Sequence, residues 1–222
     1  MINKLHSLLN SPERGWDPVP SGHAEKYAAD EWSLMRENVV DLLESRLGGL
    51  EGKRVLDLGG GPGHYSTAFA KRGARVTWHD VSRNYLDIVR RRAGEAGIDL
   101  EYSLGYLEDA RRFHSRPFDL VFCRICWYYC MNDRGFADIF YRLVKPGGAG
   151  YIDTTTTAFH PARGLRRFQH ALNDVFGIKV GHPNPPHGRV AALLQRYPLR
   201  HVLLDYSSPV TDRIFFVREG GG

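Results

Sequence analysis

Cysteine is scarce in this chain, and long apolar runs are missing. The 222 residues hold three cysteines, at positions 123, 126 and 130. An odd, clustered set is not the disulfide framework of a small secreted domain. No uninterrupted apolar stretch approaches the ~20 residues that a membrane-crossing helix needs. Residues 1–6 (Met1-Ile2-Asn3-Lys4-Leu5-His6) contain no leader-like apolar core. A reducing, cytoplasmic setting without a membrane partner is therefore expected. Neither sign of charge dominates: 30 Lys and Arg face 25 Asp and Glu, a net +5. That mild basicity helps an anion approach. There is no clear broad basic face or added recognition domain, which disfavours a nucleic-acid partner. Repeats and low-complexity tracts are also absent.

What is present is an alternation of strand and helix patterns. Residues 1–22 are polar and proline-containing and read as an arm. From 24 to 47 apolar residues recur at helical spacing (Tyr27, Trp32, Met35, Val39, Val40, Leu43, Leu47), and Gly48-Gly49 ends the run. Strands are then expected at 54–58, 75–79, 100–103, 118–123 and 150–154. Most are separated by helices, those at 85–96 and 136–144 being the clearest. A helix at 189–197 and two antiparallel strands at 199–206 and 213–217 close the chain. This order implies an α/β fold, a mainly parallel sheet covered on both faces. Residues 156–186 exceed a usual αβ connection. They hold an amphipathic piece (Leu165, Phe168, Leu172, Val175, Phe176) and a proline-rich loop, and read as a lid or binding loop.

The most informative stretch is Val55-Leu56-Asp57-Leu58-Gly59-Gly60-Gly61-Pro62-Gly63-His64. An apolar strand stops at a glycine-rich turn and a helix follows. Glycine permits positive φ and close approach of a ligand to the main chain. The carboxyl end of a strand in an open α/β sheet is where nucleotide-like ligands bind. The spacing is G-x-G-x-G, and His64 stands where a dinucleotide fingerprint needs its last glycine. That argues against a nicotinamide-dependent oxidoreductase. Asp57, just before the turn, can anchor loop amides or receive a ligand ammonium. Asp80, followed by Val81, ends the second strand, where an acid accepts hydrogen bonds from a ribose diol.

With these residues in place the chain resembles the class I S-adenosylmethionine-dependent methyltransferases of small-molecule type, from about Lys53 to the C-terminus. The run 55–63 looks like their first motif and Asp80 like their ribose-binding acid. Phe118-Asp119-Leu120-Val121 resembles the start of their fourth strand. Leu143-Val144-Lys145-Pro146-Gly147-Gly148 resembles the turn before their fifth. The resemblance implies a Rossmann-like seven-stranded, mainly parallel sheet with an antiparallel last strand. It also implies that the glycine turn cradles the amino-acid end of S-adenosyl-L-methionine. Residues 1–50 would form an N-terminal arm and helices capping the active site. Residues 51–222 would form the methyltransferase domain, with a lid inserted after strand 5 at 156–186. The cofactor set implied is Tyr27, Asp57, Gly59, Gly60, Gly61, Gly63, Asp80, Val81, Leu107, Glu108, Cys123 and Arg124. One position departs from the pattern. Where many relatives carry Gly-Asp after strand 3, this chain reads Gly105-Tyr106-Leu107-Glu108-Asp109, so Glu108, Asp109 or the backbone must meet the adenine.

The segment from Cys123 to Cys130 begins at the carboxyl end of strand 4. It has neither the aspartate of metal-dependent catechol enzymes nor the tetrad of DNA amino-methyltransferases. No metal is expected. C-x2-C-x3-C lacks an obvious fourth ligand for tetrahedral zinc, and the thiols read chiefly as packing groups. Arg124 suits a substrate carboxylate or phosphate, or a structural pair with Asp153 or Glu108. Tyr128, His160 and His182 are the candidate bases, with Arg124 beside them in the catalytic set. Asn184-Pro185-Pro186-His187 reads as a rigid loop. The expected chemistry is metal-independent, in-line methyl transfer to an O or N acceptor on a small molecule, by a monomer or homodimer. RNA or protein methylation, and a non-catalytic cofactor-binding role, remain as alternatives.

Overall fold

A computed structural model describes residues 10–159, 165–176 and 181–220. Two compact units are present, Met1–Asp109 and Ala110–Gly222. In the first, a 3-10 turn at Pro12–Arg14 precedes helices α1 (Ser21–Ser33) and α2 (Glu37–Leu47). Strands β1 (Arg54–Leu58), β2 (Arg75–Asp80) and β3 (Glu101–Leu104) then alternate with α3 (His64–Lys71) and α4 (Arg83–Glu95). β1 pairs with β2 and β2 with β3, both parallel, and Asp57 lies opposite Trp78. Val55, Leu56 and Leu58 are fully buried, the double-sided burial that makes parallel strands read as continuous apolar runs. α2 stops at Gly48, which takes φ +67°, as a left-handed C-terminal residue should. α4 starts two residues before its expected position because Ser82 caps it, accepting the Tyr85 N–H. In the Arg90–Arg92 run, Arg90 and Arg91 face solvent, while Arg92 lies over the Trp32 ring at 4.6 Å.

The second unit contains β4 (Phe118–Arg124), a 3-10 turn at Trp127–Tyr129, α5 (Asp133–Leu143) and β5 (Val144–Thr155). α6 (Leu165–Phe176), α7 (Arg189–Leu194), β6 (Leu199–Asp205) and β7 (Thr211–Arg218) complete it. β4 and β5 pair in parallel, β7 runs antiparallel to β5, and β6 antiparallel to β7. The direction of β7 alone is reversed. α5 buries Phe136, Ala137, Phe140, Tyr141 and Leu143 along one stripe. Gly150 makes room for two of the rings below it. A Cβ there would lie 2.5 Å from Phe216 and 2.9 Å from Phe140.

The seven strands form one sheet in the order β3-β2-β1-β4-β5-β7-β6, the expected α/β architecture. Among the boundaries that differ from expectation are the start of β5 and the end of α7. β5 starts at Val144, not 150, because Lys145–Gly148 is a bulge within the strand. Pairing advances five positions on β5 (Val144 to Ala149) against two on β4 (Phe118 to Leu120). α7 ends at Leu194, three residues before the expected 197. Among the described residues no helix is long and apolar enough to cross a membrane.

Candidate cofactor site and acceptor-side residues

The turn after β1 alternates as its glycines require. Gly59, Gly61 and Gly63 take φ of +74°, +49° and +79°, a region that L side chains rarely occupy. The Gly59 and Gly60 N–H groups both donate to His79 O, at 2.8 and 3.1 Å. Gly63 leads directly into α3. The two faces of the turn differ. A Cβ on Gly60 would lie 2.4 Å from the Trp78 ring, and one on Gly63 would lie 2.1 Å from Val89. On Gly61 it would meet nothing within 4 Å. The loop is therefore packed from below and open at Gly61. Trp78, fully buried on β2, locks the turn by donating its indole N–H to Gly61 O at 3.0 Å. Trp32 of α1 donates to Pro62 O at 3.2 Å.

The candidate acids flank the turn: Asp80 bonds the open Gly61, and Asp57 lies against Gly60, 3.2 Å from where a Cβ there would stand. Asp57 is buried and accepts the Ser66 hydroxyl at 2.6 Å. Asp80 accepts the Gly61 N–H on one oxygen and the Ser82 N–H on the other, each at 2.9 Å. Desolvation raises its carboxyl to about 6. The Ser82, Gly61 and Val81 N–H groups oppose the rise and Asp17 adds to it. A carboxylate offers about four lone-pair sites, more than these three backbone donors occupy. Two acids flanking a glycine turn that is open at Gly61 suit a ligand bearing an ammonium and a ribose diol. The residues present thus fit the implied sulfonium nucleoside.

The N-terminal arm is fastened over this end of the unit. Asp17 accepts the Asn84 N–H (2.8 Å) and the Ser82 hydroxyl (3.2 Å), placing its charge at the N-terminus of α4. Asn84 Nδ2 donates to Val19 O at 2.6 Å. Tyr106 donates its hydroxyl to Asn10 O at 2.7 Å and stacks on Trp16 with centroids 6.0 Å apart. Burial pushes the Tyr106 hydroxyl up to about 12, so it remains a donor. Tyr106 N–H is held by Asp109. Leu107 is buried and Glu108 half-buried in the following 3-10 turn. Tyr27 is half-buried on α1, its ring 5.9 Å from that of Tyr85. The structure thus gathers Tyr27, Asp57, the glycines, Asp80, Val81, Leu107 and Glu108 within one unit.

In the second unit Cys123 and Arg124 end β4. Arg124 Nε lies 3.6 Å from Asp153 Oδ2 on β5, and Arg213 Nε lies 3.7 Å from the same oxygen. Arg124 therefore has the structural partner weighed in the sequence. Trp127 is a core residue, packed edge-on against Phe136. Tyr128 is half-buried, and Tyr129 is 52% exposed. The Tyr129 ring meets Tyr128 at 4.4 Å and His182 at 5.0 Å. Tyr128, Tyr129 and His182 form one aromatic run, whereas His160 lies outside the described residues. Among the described residues no group of three or more His, Cys, Asp or Glu side chains is placed to hold a metal ion.

One pair escaped the sequence reading. His187 Nδ1 lies 2.6 Å from Oδ1 of Asp212, a fully buried carboxylate whose other oxygen accepts the Gly188 N–H at 2.7 Å. The Tyr206 ring meets the imidazole at 4.5 Å. Asp212 pairs with Thr154 in the β5–β7 ladder. It thus stands at the carboxyl end of β5, the edge where such sheets bind ligands. Asn184 ties the loop to that edge through Thr155 (3.0 Å) and Thr156 (3.3 Å). The Asn-Pro-Pro-His stretch is indeed an anchored loop, but one that presents a carboxylate-backed imidazole, about half exposed.

Comparison with known proteins agrees with this geometry. Residues 55–148 match the profile of a methyltransferase domain family. A ubiquinone biosynthesis O-methyltransferase of Azoarcus sp. is 34% identical over 158 residues, 71% of this chain and 63% of that protein. The protein of the same name from Cronobacter sakazakii is 35% identical over 112 residues, 50% of this chain and 46% of the relative. The chain thus spans about half to three fifths of the length of these relatives. An O-methyltransferase family protein from Burkholderia thailandensis superposes with a TM-score of 0.65 at 22% identity, covering 90% of this chain and 60% of the other. The glycine turn, β2 with its terminal acid, and β4 all fall within the matched residues, and the chain carries a methyltransferase domain of the class I, Rossmann-like kind.

Proposed function

We propose that this protein transfers the methyl group of S-adenosylmethionine, without a metal, to an oxygen or nitrogen of a small-molecule acceptor. One observation carries the reading: Asp80 is fixed by the Gly61 and Ser82 N–H groups beside a backbone open at Gly61. Asp80 and Val81 hold the ribose end, Asp57 and the Gly59–Gly63 backbone hold the amino-acid end, and Leu107 and Glu108 line the adenine. Tyr27 and the arm close over them. When bound, the cofactor supplies an electrophilic methyl on a cationic sulfur. The protein's remaining work is to align the acceptor and exclude water.

On the acceptor side, Arg124 and the Tyr128–Tyr129–His182 run orient the molecule. His187 takes the acceptor proton on Nε2 as the new bond to carbon forms, and buried Asp212 stabilises the imidazolium that results. Metal independence rests on residue type, since β4 ends in Cys123-Arg124 rather than a carboxylate. The relatives' name favours an oxygen acceptor. The lid expected at 156–186 lies partly outside the described residues, and the protein works in the cytoplasm as a monomer or homodimer.

Isothermal titration with S-adenosylhomocysteine tests the cofactor half. Binding that Asp80→Ala weakens at least tenfold is expected, and no binding, or binding indifferent to that change, would sink the reading. Incubating cell extracts with methyl-labelled cofactor and the protein then identifies the acceptor by mass.

A further inference from the structure

All three cysteines are reduced and buried, and two of them face each other. Cys123 Sγ lies 3.1 Å from Cys126 Sγ. Residues three apart on an extended strand point to opposite faces and sit ~10 Å apart. The chain brings this pair together by a turn at Ile125, which has φ +54°. It is the one non-glycine residue at positive φ among the described residues. A β-branched side chain in that region is strained by about 1–3 kcal/mol, and such strain persists where surrounding contacts enforce it. Here they do: the Ile125 N–H donates to Asp153 O at 2.7 Å, and Arg124 is held near the Asp153 carboxylate. Cys130 stands apart, its thiol donating to Asp133 at 3.4 Å.

We propose that Cys123 and Cys126 form a reversible dithiol–disulfide site, oxidised by hydrogen peroxide or a small organic peroxide, that locks the Arg124 turn. A covalent S–S bond requires the sulfurs to close by about 1 Å. Cys126 keeps 7% exposure and Cys123 none, so Cys126 meets the oxidant. Its thiolate attacks one peroxide oxygen, giving a sulfenic acid and one water once the proton is returned. The Cys123 sulfur then attacks the Cys126 sulfur, its proton leaving with the hydroxyl as a second water. The two thiols lose two protons and two electrons, and hydrogen peroxide becomes two waters (an organic peroxide, one alcohol and one water). A thiol reductant reverses the bond by exchange. The proposal is independent of methyl transfer.

The test treats the full chain with hydrogen peroxide, alkylates the remaining thiols after denaturation, and maps the peptides by mass. A Cys123–Cys126 link, lighter by two hydrogens, is expected, with Cys130 alkylated and dithiothreitol restoring all three thiols. Cys130→Ser keeps the link and Cys126→Ser abolishes it. Hydrogen exchange across residues 124–129 slows in the oxidised protein. The proposal is overturned by thiols that survive peroxide sufficient to oxidise free glutathione. A link through Cys130, over-oxidation without a link, or unchanged exchange after linking overturns it equally.

Discussion

Acidification through about pH 6 protonates Asp80, whose carboxyl burial raises to about 6 from an ordinary 3.8. Between those two values the folded chain holds a proton that the unfolded chain has released. Stability therefore falls as pH rises from 3.8 to 6 and levels off above. The gap, 6 less 3.8, is about two units. At 1.4 kcal/mol per unit, the ionised acid costs the fold up to ~3 kcal/mol. Cofactor affinity responds in the opposite sense. Only the carboxylate accepts hydrogen bonds from both ribose hydroxyls. Binding of S-adenosylhomocysteine should thus be flat above about pH 7 and weaken about tenfold per unit below 6. Urea denaturation and calorimetric titration over the same pH series, on wild type and Asp80→Asn, separate this group from every other. Relative to the variant, wild type gains stability and loses affinity on acidification. Two slopes of the same sign, or a wild-type affinity as pH-independent as the variant's, would refute the assignment of Asp80 as the ribose acid.

Four further outcomes follow from particular contacts. Gly150→Ala places a methyl against Phe216 and Phe140 and should destabilise the fold by about 1–3 kcal/mol, read as a lower urea midpoint at unchanged m. Trp32→Phe removes the hydrogen bond to Pro62 O and should cost about 0.5–1.5 kcal/mol, with a weaker cofactor Kd because α1 then holds the glycine turn less firmly. His187→Gln should lower kcat by about 10² to 10⁴ for a hydroxyl acceptor while leaving the cofactor Kd in place. Asp212→Asn should lower kcat in the same direction, and steady-state kinetics on the identified acceptor check both.

The glycine turn was legible because its geometry is local. Gly59, Gly61 and Gly63 stand in five consecutive residues, and the alternation they spell is the alternation of positive φ that the backbone adopts. Asp80 could be placed because a buried strand of known start has a countable end. The start of β5 was not legible. Pro146-Gly147-Gly148 carries turn chemistry, and the pairing that turns it into a bulge belongs to β4. The arm was misleading in another way. Its polar, proline-containing composition reads as a tail. Asp17 acquires its role only from the N-terminus of α4, 65 and 67 positions away at Ser82 and Asn84.

The proposed acceptor-side pair resisted for a deeper reason. His187 follows two prolines in a loop, and Asp212 is an ordinary acid at the start of a strand. Neither has a partner within reach of any periodic pattern. They meet because β7 runs back along β5 and sets Asp212 opposite Thr154, while Asn184 ties the loop to Thr155 and Thr156 at the same edge. A group that binds a cofactor through the main chain leaves its mark in glycines and strand ends. A group that moves a proton needs only one imidazole and one buried carboxylate, brought together from any two segments. His160 and His182 stand out in the sequence because histidines cluster in a long connection. Burial of the partner acid is what leads us to propose His187: Asp212 is fully buried and within 2.6 Å of its imidazole, whereas the described contact of His182 is with an exposed tyrosine ring. Replacing His182 by Gln should therefore change acceptor KM more than kcat, the reverse of the effect expected at His187.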